Sequence, residues 1–384
     1  MYNKTWGSIM SSIDEENKRK LEFYLKGNAL KNSVIDNNGR SIAEHLYGSM
    51  ILARAIQSEF EPSEDISKVL RMIALEGIAL TNDDFKCSEY LANGSKYDKE
   101  LDEIRRMVTF DSIFASICRV NDLRLHSIIN ENPDKCFYDL YKEAVRKGIF
   151  KPKSFEENKK YQEIFRFYYD NMNLEKTERT GWDNKHWNIF GERESIADHI
   201  YGTIVLAMAM YDGEKNVNLD EVLQTLLIHE IGEIEIGDKT PFDITKEEKA
   251  RIEHKAMKHA LGNLTDRESM LNSLLDFDAE EKENSKFAHY CDKLEADIQS
   301  KIYQDSGRHK PLDEQQNNVV FKSPRVQKML QEGAETAFDI WYLYDKDIYK
   351  DSEEFKSMLE YVKEHNLRKV RLYSLTIPST LVIM

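Results

Sequence analysis

The sequence predicts an all-α protein built from two tandem helical units. Only 7 prolines and 16 glycines punctuate 384 residues. Apolar residues recur three and four positions apart rather than alternating, and one helical segment occurs twice.

The repeat is the clearest of these signals. "SIAEHLYGSMILARAI" from Ser41 matches "SIADHIYGTIVLAMAM" from Ser195 at 9 of 16 positions, an offset of 154 residues, where chance gives about one identity. The same offset lays "LEGIALTNDD" from Leu75 over "HEIGEIEIGD" from His229. Between the copies runs a polar, lysine-rich stretch ending in "GIFKPKSFEENKK", where helical periodicity weakens. A division near residue 155 follows, giving units 1–155 and 156–384, each long enough to bury a core.

Composition narrows the function. With 41% hydrophobic and 32% charged residues the chain is that of a soluble folded protein. A net charge of -15 opposes binding to nucleic acid polymers, because an acidic surface repels phosphates. Cys87, Cys118, Cys136 and Cys291 are widely spaced, which suggests neither a disulfide framework nor a zinc ribbon and fits a reducing cytoplasm. No apolar run approaches the roughly 18 residues a membrane span needs. The closing "LYSLTIPSTLVIM" reads as a tail packed on its own domain or on a partner, and the start shows no leader pattern. The polar stretch "YQDSGRHKPLDEQQNNVVFKSPR" from Tyr303 is long for a connection and reads as a loop flanking a site or as a solvated excursion.

The chemistry concentrates in "LLIHEIGEIEIGD", Leu226 to Asp238. On a helix His229 and Glu233 stack on one face with Glu230 beside them, next to aliphatic core positions. A carboxylate at the edge of buried space needs a cation, a metal or dense hydrogen bonding. The segment contains neither lysine nor arginine. His199 in "SIADHIYG" and Asp292 in "FAHYCDKLEADIQ" also lie beside apolar stripes, so three helices can converge on a mixed nitrogen and oxygen site. Such a donor set suits one divalent transition ion, Mn, Fe, Co, Ni or Zn, without choosing among them.

A lone histidine, a histidine–acid pair, and a distant aspartate in "DKLE" resemble the HD-domain metal-dependent phosphohydrolases. "RTGW" from Arg179 and "RESIADH" from Arg193 make residues 170–345 similar to the branch holding bacterial 5'-deoxynucleotidases of the YfbR type and the HD-domain-containing protein 2 group. The resemblance implies an all-helical fold with His199, His229, Glu230 and Asp292 holding one metal, and the internal repeat makes the chain a tandem of two HD-type units. It also implies that Glu233 and Asp238 position and activate the attacking water, Asp238 being the better general acid/base, and that Arg179 and Trp182 contact the nucleotide. Arg193 and Lys239 flank the motifs as further cationic contacts. One departure stands out: Glu230 occupies a position where the family usually has aspartate, one methylene shorter.

The first copy keeps His45, but Leu75 replaces the second histidine and Ala79 the middle acid. Asp122 is matched to Asp292 if a 16-residue gap is allowed. This copy reads as degenerate, serving structure or regulation, and is expected to take the place of the second subunit of a homodimer. The whole is expected to be a monomer with an internal pseudo-dimer, or a homodimer. It is expected to release phosphate from (deoxy)nucleoside 5'-monophosphates. The alternatives are a hydrolase of nucleoside triphosphates or an alarmone, and a non-catalytic nucleotide-binding protein.

Overall fold

Both repeated segments start a helix in the same way. Ser41 and Ser195 are N-caps whose hydroxyls accept the backbone N–H of Glu44 and Asp198, and those carboxylates accept the cap N–H in return. The two boxes also meet each other, Ser41 Oγ donating to Asp198 Oδ1 at 2.6 Å.

The computed structural model describes residues 2–80, 84–213, 216–240 and 242–369. The apolar closing segment lies outside them. Helices α1 (Tyr2–Asn28), α2 (Ile42–Phe60), α3 (Ile66–Ala79), α4 (Gly94–Arg106), α5 (Phe110–Asn130) and α6 (Phe137–Arg146) form the first half. The second half opens with α7 (Phe155–Asn171), α8 (Asn173–Lys176), α9 (Ile196–Met210), α10 (Leu219–Ile228) and α11 (Glu233–Ile236). It continues through α12 (Lys246–Leu261), α13 (Arg267–Ala279), α14 (Glu283–Asp305), α15 (Pro324–Gln331), α16 (Ala337–Asp345) and α17 (Glu353–Glu364). Among the described residues the only β-pairings are isolated bridges, so the all-α expectation holds.

α2 and α9 pack against each other at the centre, and every residue of α9 is buried. α1 lies on α9, whereas α7 lies on α2, so the opening helix of each half covers the other half. One hydrophobic core therefore runs across the expected division near residue 155, from Leu21 through Leu46 and Ile204 to Leu294 and Val362. The division separates repeats in sequence while their packing is shared.

A smaller core holds Trp182, Trp187, Ile189, Tyr303, Val320, Phe321 and Ile340. The polar stretch after Tyr303 builds it: Phe190 N–H donates to the Arg308 carbonyl, and Val319 N–H to that of Lys185. That stretch is therefore folded onto the 180–190 segment and is not a free excursion. No described helix is long and apolar enough to cross a membrane.

Candidate metal centre

α9 and α14 cross so that one imidazole lies between two carboxylates of a single helical turn. His199 is fully buried, its Nδ1 2.6 Å from Glu295 Oε2 and its Nε2 2.9 Å from Asp292 Oδ1. With Nδ1–H donating to Glu295, the Nε2 lone pair faces Asp292.

The segment "LLIHEIGEIEIGD" is not one helix, as its spacing suggested. α10 stops at Ile228, and residues 229–232 form turns before α11. The break leaves the Leu226 carbonyl free to accept the His229 Nδ1–H at 2.7 Å. The His229 Nε2 atom is buried with no hydrogen-bond partner. It lies 3.7 Å from both Glu230 Oε1 and Asp292 Oδ1, while His199 Nε2 is 3.8 Å from Glu230 Oε1.

His199, His229, Glu230 and Asp292 each turn one donor atom into a group whose members lie within 4.8 Å of one another. Two imidazole nitrogens and two carboxylates facing inward call for positive charge among them, from a proton on His199 or from a bound cation. Donor separations near 3–4 Å are those of atoms sharing one ion at bonds of about 2.0–2.2 Å. The residues thus fit a divalent ion, and the longer Glu230 side chain reaches the group.

The surrounding charges sort the carboxyls. Burial would raise Glu230, but His229, Arg179 and Lys249 bring it to about 2. Burial likewise opposes ionisation of Asp292, yet Lys293 and the two histidines hold it well below the usual range. Burial and Arg179 push His199 down, and Glu295 and Asp292 more than offset them. Glu233 is different: burial, then the Glu230 and Asp238 charges, raise it well above an ordinary carboxyl. Its Oε1 lies 3.3 Å from Lys249 Nζ and its Oε2 is buried without a hydrogen-bond partner. Glu253, behind it, is pushed up to about 7, mainly by burial.

Arg179 also belongs to this cluster. Its Nη1 donates to Glu230 Oε1 at 3.1 Å, and Asp238 and Asp292 add to the negative field it sits in. Asp238 faces the same arginine and is fixed by the Thr180 N–H, 2.7 Å from its Oδ2.

The other three expected substrate contacts have partners of their own in this structure. Trp182 is only 1% exposed, stacked on Trp341, with its indole N–H on Glu194 at 2.9 Å. Its ring has no free face for a base, so it is a core anchor. Arg193 pairs with Glu178 at 3.0 Å and lines a cavity between the halves with Lys31, Glu44 and Asp198. Lys239 is half-buried beside Asp243.

Sequence reasoning missed Glu295, although its place one turn after Asp292 put it on the same face. Lys249 and Glu253 on α12 carried no motif. Lys31, which ion-pairs with Glu295 from 264 residues away, left no local signal.

The first half repeats part of this pattern with a different outcome. His45 Nδ1 meets Asp122 Oδ2 at 2.6 Å, as His199 meets Glu295. A Cβ on Gly48 would strike the Asp122 carboxylate, and one on Gly202 that of Glu295. Asp122 thus stands where Glu295 does, not at the place of Asp292 as the gapped match had it. Three residues earlier, at that place, is Arg119, and its guanidinium pairs with Glu76. Arg40 grips Asp122 through both terminal nitrogens, at 2.7 and 3.0 Å. In this half, arginines supply the positive charge inside the protein.

Residues 172–337 match a family model described as HD domain. The chain is 32% identical to the mouse protein named 5'-deoxynucleotidase HDDC2 over 135 residues, 34% of this chain and 65% of the relative. The human protein of that name is 32% identical over 141 residues, 36% of this chain and 66% of the relative. The fission yeast (Schizosaccharomyces pombe) 5'-deoxynucleotidase hdd1 is 31% identical over 129 residues, 32% of this chain and 63% of the relative. The chain spans just under two thirds of the length of each.

Proposed function

We propose that this protein is a metal-dependent phosphohydrolase that releases phosphate from (deoxy)nucleoside 5'-monophosphates in a reducing cytoplasm, as a monomer with an internal pseudo-dimer. The observation that carries this reading is the buried, unpartnered His229 Nε2 beside His199 Nε2 and the Glu230 and Asp292 carboxylates. These four residues would hold one divalent ion of the Mn, Fe, Co, Ni or Zn class. When bound, that ion lowers the pKa of its water and balances charge on the phosphoryl oxygens.

The chain's own residues do the rest. Leu226 and Glu295 hold the two rings so that neither Nδ1 competes for the ion. Arg179 offers a planar donor fork to a phosphate, and Glu230 and Asp238 keep it charged and aimed. Burial and the Glu230 and Asp238 charges raise the Glu233 carboxyl well above the ordinary range, which favours its protonated form and suits it to proton transfer at the leaving 5'-oxygen. This exchanges the roles the resemblance implies: Asp238, fixed by Thr180, orients the attacking water rather than serving as the general acid/base. The names of the curated relatives favour a deoxynucleotide.

A phosphate-release assay over deoxy- and ribonucleoside 5'-monophosphates, each with Mn, Co, Ni, Mg and Zn, tests the proposal. Release of pyrophosphate or triphosphate from larger nucleotides would favour the alternative hydrolase. No release at all, with no metal uptake, would favour a binding protein.

A further inference from the structure

Glu295 orients His199, and what orients Glu295 comes from the other half of the chain. The carboxylate is fully buried. Lys31, at the turn after α1, ion-pairs with its Oε1 and reaches Glu194 Oε2 at 2.6 Å. Tyr24 on α1 donates its hydroxyl to the same Oε1 at 2.7 Å. Asn28 braces the tyrosine, donating to Tyr24 Oη at 3.0 Å and to Gln299 Oε1 at 2.9 Å.

The reverse contacts exist but with the charges rearranged. At an offset of 144, Tyr24 corresponds to Tyr168 and Lys31 to Glu175. Tyr168 donates to Asp122 Oδ1 at 2.7 Å, across the halves in the opposite direction. Glu175 pairs with Arg40 at 2.5 Å, and Arg40 corresponds to Glu194 at the 154 offset. The first half therefore neutralises its buried aspartate with its own Arg40. The second half has Glu194 at that position, and Lys31, the cation paired with Glu194 and Glu295, comes from the first half. Were two second halves to pair, Glu175 would face Glu194 and Glu295, three carboxylates in a buried space.

We infer that Lys31 and Tyr24 of the first half are positioning residues of the second half's metal centre, acting through Glu295 on the His199 ring. The first half is thus a fixed in-chain partner that completes a site it no longer forms itself. The inference rests on the reading of His199 as a metal ligand.

The test uses the full-length chain with Tyr24→Phe, which removes one oxygen, and Lys31→Met/Glu194→Gln, which removes a cation with one of its two anions. Two readouts are taken on protein whose circular dichroism matches wild type: Mn2+ affinity by calorimetry, and the Nδ1–H signal of His199 in 15N-histidine-labelled, metal-free protein, assigned with His199→Ala. The expected result is a slowly exchanging Nδ1–H in wild type, lost or shifted in both variants. Mn2+ affinity should fall roughly 10-fold or more in the double variant, as for loss of outer-shell support at other metal sites. A folded Tyr24→Phe and a folded double variant with wild-type Mn2+ affinity and an unchanged His199 signal overturn the inference. If wild type binds no Mn2+ yet the His199 signal depends on Tyr24 and Lys31, the positioning role stands and the metal reading falls.

Discussion

Glu295 Oε2 lies 2.6 Å from His199 Nδ1, and this contact commits the other ring nitrogen to the centre shared with His229, Glu230 and Asp292. The ring is positioned by a carboxylate on the same helix as one of the other donors, so a single helix, α14, sets two parts of the site.

If the centre holds a divalent ion, that ion stabilises the fold by mass action. Mn2+ at about 100 times its dissociation constant should add roughly 2.7 kcal/mol. The thermal midpoint of wild type should rise with Mn2+ and fall back with chelator, and His229→Ala should show no Mn2+-dependent shift.

Glu230 tests reach against charge. Glu230→Gln removes a charge that holds Arg179 and should cost metal affinity more than the roughly 10–100-fold lost with an outer-shell partner. Glu230→Asp keeps the carboxylate one methylene back and should fall between that variant and wild type in Mn2+ calorimetry.

Trp182 distinguishes an anchor from a substrate contact. Trp182→Ala should lower stability by about 3–5 kcal/mol. In Trp182→Phe, assayed below its unfolding temperature, KM for a nucleotide should stay at the wild-type value. A KM rise without loss of stability would return the ring to the substrate site.

Asp345 gives a pH dependence. Burial raises its folded pKa to about 6 against a pull from Lys293, and it contacts Asp297, whose carboxyl is raised as well. A raised folded pKa means the fold prefers the protonated acid. The stability this proton contributes is complete below the unfolded value near 4 and is lost as pH rises through about 6. Asp345→Asn should therefore gain about 2–3 kcal/mol relative to wild type between pH 4 and pH 7.5, read from urea midpoints.

Much of this was legible in the sequence because the signals were local. Helical spacing gave the fold class, and the four proposed ligands lie in short motifs whose register along a helix or turn is nearly fixed. Trp182 was misread because exposure is a tertiary property: its neighbour Trp341 is distant in sequence. The turns at His229 were hidden because helical and turn spacing both put Glu233 near His229. Lys31 and Tyr24 were invisible for a deeper reason. Each half covers the other, and a lysine beside a polar turn looks like solvent-facing charge until the partner half is folded against it.

The most direct measurement of the central claim is phosphate release from deoxynucleoside 5'-monophosphates by metal-loaded wild type and by His229→Ala. Wild type is expected to release phosphate in a metal-dependent way, and the variant, its circular dichroism matching wild type, to lose that release. Silence from wild type across Mn, Co, Ni, Mg and Zn, or equal release by both proteins, would contradict the central claim.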